Sequence, residues 1–281
     1  MEITVIIPCY NCERYLAETL NSLLAQTNEK WRALVFDDGS ADGSLAIAQS
    51  FADNDARIKI LRHAGGVNKG LAQTIKAAFA HVKTPYVAFL ECDDIWQPDY
   101  LAAKTAALRA NADAKIIFND VELFGTPARA RKLNIYYKAV KLYLQLLNPF
   151  KQNYNLVFPL FLFNPIPTFS CVLARAELLK KLNFNPPFAP WLDRWLWLQL
   201  CFKNRFYFVD KKLTRWRLHD KSLTMRTLRD IRQNGRAFDK AAEAMYLQNL
   251  GLLKYCLIKY CSLALDLGFT LLTLPLRLLI R

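Results

Sequence analysis

Through its first hundred residues the chain repeats one pattern: a short β-branched or aromatic run, a polar loop containing Gly or Pro, then apolar residues at helical spacing. Residues 3–7 form the first run, stopped by Pro8, and Leu16, Leu20, Leu23 and Leu24 come next at helical spacing as far as Gln26. The pattern predicts further strands over 31–36, 58–61 and 86–90, helices over 44–51 and from the 65–70 loop to residue 80, and a helix opening near Pro98 with Leu101 and Leu108 on its inner face. Apolar strand runs separated by helices imply a mostly parallel sheet covered on both faces, so the expected fold class is α/β.

In such a sheet ligands bind beyond the carboxyl ends of the strands. The residues just after each run therefore mark the site: Pro8-Cys9-Tyr10-Asn11, then Asp37-Asp38-Gly39-Ser40, then His63 and the 65–70 loop, then Glu91-Cys92-Asp93-Asp94. Carboxylates do not gather at one edge without a cation or hydrogen-bond donors to offset their repulsion. The chain has no G-x-G-x-x-G after its first strand and no G-x-x-x-x-G-K-[ST], which removes a dinucleotide site of the Rossmann type and a P-loop. A carboxylate-held Mg²⁺ or Mn²⁺ is the remaining common way to hold a diphosphate. His63 and His81 read as ordinary loop or surface residues.

The rest of the chain differs in charge. Of 38 Lys and Arg and 24 Asp and Glu, residues 1–100 hold 9 bases and 13 acids, leaving 29 bases and 11 acids for residues 101–281. A basic half suits a polyanion: nucleic acid, an anionic membrane surface or a phosphorylated substrate. Residues 203–240 carry twelve Lys or Arg against four Asp. Between the halves, 115–119 reads as a strand, 136–147 as a helix with Lys132, Lys138 and Lys141 beside Tyr136, Tyr137 and Tyr143, and the Phe- and Pro-rich stretch 158–169 as either a packed irregular loop or an acceptor-binding or membrane-facing flap. Residues 260–276 are mostly apolar but interrupted by Asp266 and Pro275 and bracketed by Lys254, Lys259, Arg277 and Arg281. A spanning helix needs ~20 clean apolar residues, so an interfacial helix fits better. With 53% hydrophobic residues and only 9 Gly the chain is neither disordered nor fibrous. Seven cysteines, an odd number widely spaced, point to a reducing compartment, and Cys9-x-x-Cys12 lacks the second pair of a zinc site. The N-terminus shows no basic segment or cleavage site, so no signal peptide is expected.

Four motifs in order resemble the family-2 glycosyltransferases of GT-A fold: Thr4-Val5-Ile6-Ile7-Pro8-Cys9-Tyr10-Asn11, the run from Asp37 through Ser44, Asn68-Lys69-Gly70, and the run from Phe89 through Pro98. The resemblance continues more loosely through Leu192-Asp193-Arg194-Trp195 and Arg217-Leu218-His219 and covers roughly residues 1–225. It implies a GT-A transferase domain over 1–225, with a nucleotide-sugar-binding half at 1–112 and an acceptor-binding half at 113–225, and after it a basic and apolar helical tail at 226–281. By the same resemblance Asp38, beside Asp37, accepts from the nucleotide base in a pocket lined by Pro8, Tyr10 and Asn11. Lys69, Glu91, Asp94 and Arg217 join the nucleotide-sugar site, Asp93 coordinates a divalent metal with His219 as a further ligand, and Asp193 is the base that deprotonates the acceptor hydroxyl, giving inversion. Two departures stand out: Glu91 replaces the first Asp of the family's Asp-x-Asp, and Leu192 replaces the Glu that commonly precedes the base.

The expected protein is thus an inverting transferase, metal-dependent through Mn²⁺ or Mg²⁺, that moves a sugar from a nucleotide diphosphate, UDP first among candidates, to a saccharide or lipid-linked acceptor in lipopolysaccharide or other surface polysaccharide synthesis. Its tail would hold it on the anionic inner face of the cell membrane, from the cytoplasm. The alternatives are an inactive GT-A nucleotide-binding protein and a basic nucleic-acid-binding module. No nucleic-acid motif supports the latter, and nucleic acid is not an expected partner.

Overall fold

The computed structural model describes residues 1–111, 113–125, 127–147, 153–219 and 223–260. In chain order the elements are β1 (Ile3–Cys9), α1 (Leu16–Leu24), β2 (Trp31–Asp37), α2 (Ser44–Asn54), β3 (Ile58–Arg62), α3 (Leu71–Phe79), β4 (Tyr86–Phe89), β5 (Ile95–Trp96), α4 (Tyr100–Ala110), β6 (Ile116–Gly125), α5 (Pro127–Leu147), β7 (Asn153–Tyr154), α6 (Val157–Leu162), β8 (Leu173–Arg175), α7 (Ala176–Leu179), α8 (Leu192–Cys201), β9 (Phe206–Leu218) and α9 (Leu223–Leu250). Residues 252–260 are again helical.

Among the described residues nine strands form one sheet in the order β3-β2-β1-β4-β8-β6-β9-β5, with β7 beside β9. The four strands expected from the repeat are parallel to one another. Beyond β4 the sheet becomes mixed: β8 runs antiparallel to β4 and β6, β9 parallel to β6, and β5 and β7 antiparallel to β9. Every residue of β1 is buried because the strand is central, and its side chains alternate between two apolar layers, Ile3, Val5 and Ile7 on one face and Ile6 on the other.

The second half of the sheet is less evident in the sequence. The strand expected over 115–119 runs on to Gly125, and its register against β9 jogs around Asp120. The helix expected over 136–147 begins at Pro127. The basic stretch 203–240 is shared by the long strand β9 and the helix α9. Its helix is docked rather than free: Phe238 and Tyr246 are fully buried, with Phe238 4.9 Å from Trp191 and Tyr246 5.0 Å from Phe161. The 158–169 stretch is mainly packed, with Leu160, Ile166 and Phe169 inside the core. The interfacial helix expected over 260–276 lies, after Tyr260, outside the described residues. Among the described residues no helix is long and apolar enough to cross a membrane.

Candidate active site

The loops after β1, β2 and β3 lock together first. Asn11 takes a left-handed conformation at φ 50°, which turns its Oδ1 toward the Ala41 amide (2.8 Å) while its own amide donates to Ser40 Oγ (3.0 Å). Gly39 is at φ 75°, and a Cβ there would stand 2.6 Å from the Gly66 carbonyl oxygen and 2.7 Å from the Asn68 nitrogen, so only glycine fits. Pro8 is buried at the end of β1, and Tyr10 is 49% exposed beside it.

Both acids of the Asp37-Asp38 pair are buried yet satisfied. Asp37 accepts from Arg62 Nε (3.1 Å) and the Ser40 amide (3.2 Å). Asp38 accepts from the Lys69 amide (2.7 Å) and the Gly70 amide (2.9 Å), so Lys69 enters this site through its backbone, and its side chain is exposed. His63 is not the ordinary loop residue that the sequence suggests. Its side chain is 7% exposed, with Nε2 3.4 Å from Asp38 Oδ1 and 3.2 Å from Thr74 Oγ1, and its ring packs 4.7 Å from Phe36. A single His without a partner motif carries no sequence signal for this placement.

The second cluster comes after β4. Asp94 is fully buried and accepts from the Arg217 amide (3.0 Å), and Thr168 Oγ1 lies 3.3 Å from its other oxygen. The Thr168 hydroxyl is also hydrogen-bonded to Glu91, whose amide donates to Ser170 Oγ (2.9 Å). The Arg217 guanidinium donates to the Asp93 carbonyl (2.8 Å), pairs with Glu18 and stacks over Tyr15 and Phe124, so it braces the loop from outside. Burial, with the nearby Asp93 charge second, pushes Glu91 up to about 8 and Asp94 well above the usual carboxylate range. Three acids at 91, 93 and 94 thus crowd one another, a field that a bound cation would relieve.

Asp93 Oδ2 and His219 Nε2 are 2.9 Å apart, and the His219 ring rests on Tyr15 at 4.7 Å. The two side chains are hydrogen-bonded to each other, and as neighbouring oxygen and nitrogen donors they would hold a divalent cation together with the oxygens of a bound diphosphate. Among the described residues no three His, Cys, Asp or Glu side chains are grouped so as to hold a cation by themselves. Cys9 and Cys12 are buried free thiols, and the Cys12 thiol donates to the Cys92 carbonyl.

Asp193 opens α8, where the helix N-terminus favours a carboxylate. Its oxygens accept from the Arg194 amide (2.6 Å) and from Asn164 Nδ2 (2.7 Å). Burial nevertheless raises it to about 6, outweighing those hydrogen bonds. Leu192 is buried, so the position that departs from the family pattern serves the core. One short segment joins the clusters: Asn164 holds Asp193, Thr168 reaches Glu91 and Asp94, and Ser170 holds the Glu91 amide. None of these three carries a motif in the sequence that marks it as part of a site.

Comparison with known proteins gives the family and the fold. The family model for glycosyl transferase family 2 matches residues 4–182. Glycosyltransferase GlyA of Streptococcus pneumoniae is 35% identical over 100 residues, 36% of this chain and 14% of that protein. The Escherichia coli UDP-Glc:alpha-D-GlcNAc-diphosphoundecaprenol beta-1,3-glucosyltransferase WfgD is 25% identical over 233 residues, 82% of this chain and 83% of that one. Matches at 30% identity or more span less than half the length of the curated relatives. In fold the chain is similar to Staphylococcus aureus TarS 1-349, crystallised with UDP (TM-score 0.64, 18% identity, 89% of this chain and 67% of that one). It is also similar to the Pyrobaculum calidifontis mannosyltransferase PcManGT in complex with GDP-Man and Mn²⁺ (TM-score 0.58, 15% identity, 100% and 81%). The chain belongs to glycosyl transferase family 2 and is a glycosyltransferase of GT-A fold.

Proposed function

We propose that the chain transfers a sugar, with inversion, from a UDP-sugar to a hydroxyl of a lipid-linked saccharide in surface polysaccharide synthesis, working from the cytoplasm at the inner face of the membrane. The observation that carries this reading is the 164–170 segment, which holds Asp193 through Asn164 and reaches the Glu91 and Asp94 carboxylates through Thr168. An acceptor hydroxyl and a departing diphosphate need those two groups side by side.

The roles divide accordingly. The pocket of Pro8, Tyr10, Asn11, Asp37, Asp38 and His63 takes the nucleoside, its walls fixed by the Lys69 and Gly70 amides. Asp93 and His219 would hold the divalent metal, which supplies charge neutralisation to the leaving diphosphate. Glu91, Asp94 and Arg217 keep that loop in place. Asp193, with its pKa near 6, is ionised at neutral pH yet basic enough to take the acceptor proton as the oxygen attacks the anomeric carbon. In this reading residues 1–112 bind the donor, 113–225 the acceptor, and 226–281 form a tail docked through α9. The WfgD name, with its UDP-Glc donor and diphosphoundecaprenol-linked acceptor, supports both substrate classes. The deciding experiment is a donor screen that measures UDP, GDP and dTDP release by purified protein with lipid-linked and soluble acceptors, with and without Mn²⁺. UDP release that requires metal and disappears in Asp93→Asn is expected. Metal-independent release, or release of another nucleotide alone, would overturn the respective part.

A further inference from the structure

Two helical surfaces are apolar where they meet solvent. On α5, Val140 and Leu144 face the core, while Ile135, Leu142 and Leu146, at i, i+7 and i+11, form an outward stripe 65%, 58% and 73% exposed. On the 252–260 helix, Leu252, Leu253, Leu257 and Tyr260 are 64–86% exposed. Lys138, Lys254 and Lys259 stand among them, and neither 133–146 nor 252–260 contains an acid. An apolar stripe edged by Lys is the pattern of a helix that lies in a lipid interface.

The two surfaces flank the same segment. Phe163 packs against Tyr136 (6.4 Å) and Tyr143 (5.6 Å) of α5, whereas Phe161 packs against Tyr246 (5.0 Å) and Tyr255 (6.3 Å) on the other side. The next residue, Asn164, holds Asp193. Beside the 252–260 helix lies a cavity of about 380 Å³ walled by Phe158, Pro159 and Ile258, with Arg205 at its polar side.

We propose that the outer face of α5 is a lipid contact in its own right, which acts with residues 252–260 to lay the molecule on an anionic bilayer with Asp193 between the two contacts. Charge selects this occupant: Lys138 and Lys254 edge the two stripes, with Lys259 paired to Glu243, so two copies meeting through these faces would set Lys against Lys, whereas an anionic leaflet attracts them. The purpose of the contact, delivery of a lipid-linked acceptor to Asp193, rests on the function proposed above. The contact itself does not.

The test is flotation of the full chain with vesicles of phosphatidylcholine containing roughly one-third phosphatidylglycerol, set against pure phosphatidylcholine. Leu142→Gln with Leu146→Gln, a helix-compatible and charge-neutral change at exposed positions, is expected to lower vesicle affinity about tenfold with unchanged circular dichroism and melting. Leu253→Gln with Leu257→Gln is expected to do the same. Undiminished flotation of the α5 variant overturns the proposal, as does a parent chain that is dimeric in solution and becomes monomeric in that variant. A parent that floats but releases no UDP from any donor refutes the transferase reading and leaves the lipid contact supported.

Discussion

Replacing Asp193 by Asn separates what this side chain does for chemistry from what it costs the fold. Burial raises the carboxyl from 3.8 to about 6. Because the folded-state value is the higher one, the native state binds the proton more tightly than the unfolded chain. Stability is therefore greatest below the unfolded value, falls as pH rises from about 4 to about 6, and is level above that. The shift of roughly two units amounts to at most about 3 kcal/mol against folding at neutral pH. Asn removes the charge but keeps only one of the two accepting oxygens, so the loss of the Asn164 or the Arg194 hydrogen bond offsets about 1 kcal/mol of that gain. Asp193→Asn should accordingly melt a few degrees higher than the parent at pH 7.5, with the gap closing toward pH 4. In the same protein, turnover should fall by about 10²–10⁴, the range for loss of a positioned base, and the parent's rate should drop about tenfold per pH unit below about 6. Calorimetry across pH and coupled UDP release measure the two effects. Turnover within threefold of the parent would refute the base assignment, and a melting temperature that is lower at pH 7.5 would refute the burial argument.

Gly39→Ala forces a Cβ onto the Gly66 carbonyl in a left-handed conformation. It should cost about 2 kcal/mol or more, read as a lower melting temperature together with weakened UDP binding in titration calorimetry. His63→Ala empties the space between Phe36 and Asp38, and an approximately fivefold or greater loss of UDP affinity is expected from one lost hydrogen bond. Equal affinity would place the nucleoside elsewhere. Truncation after residue 260 leaves every buried side chain of α9 and Tyr255 in place. Melting should be unchanged while the fraction that sediments with membranes falls, and unaltered sedimentation would deny the tail a role.

The parallel strands and the acidic loops that follow them could be read from the sequence because their information is local. In a parallel sheet each strand leads within a few residues into the loop that meets the ligand, so Pro8 to Asn11, Asp37 to Ser40 and Glu91 to Asp94 announce themselves as motifs next to their strands. Glycine adds the conformational constraint that only it meets at residue 39. The rest depended on contacts between residues far apart in the chain. His63 reaches Asp38 from the loop after β3, Asn164 reaches Asp193 across 29 residues, and His219 reaches Asp93 across 126. The mixed half of the sheet, the register jog between β6 and β9 at Asp120 and the docking of Phe238 against Trp191 and Trp195 are likewise settled by how apolar surfaces close over one another. Periodicity and loop chemistry thus determined the parallel strands and the acids at their carboxyl edge. Only tertiary packing brought the candidate base and its Asn164 support together, because strand order and helix docking are set by non-local burial that no local pattern encodes.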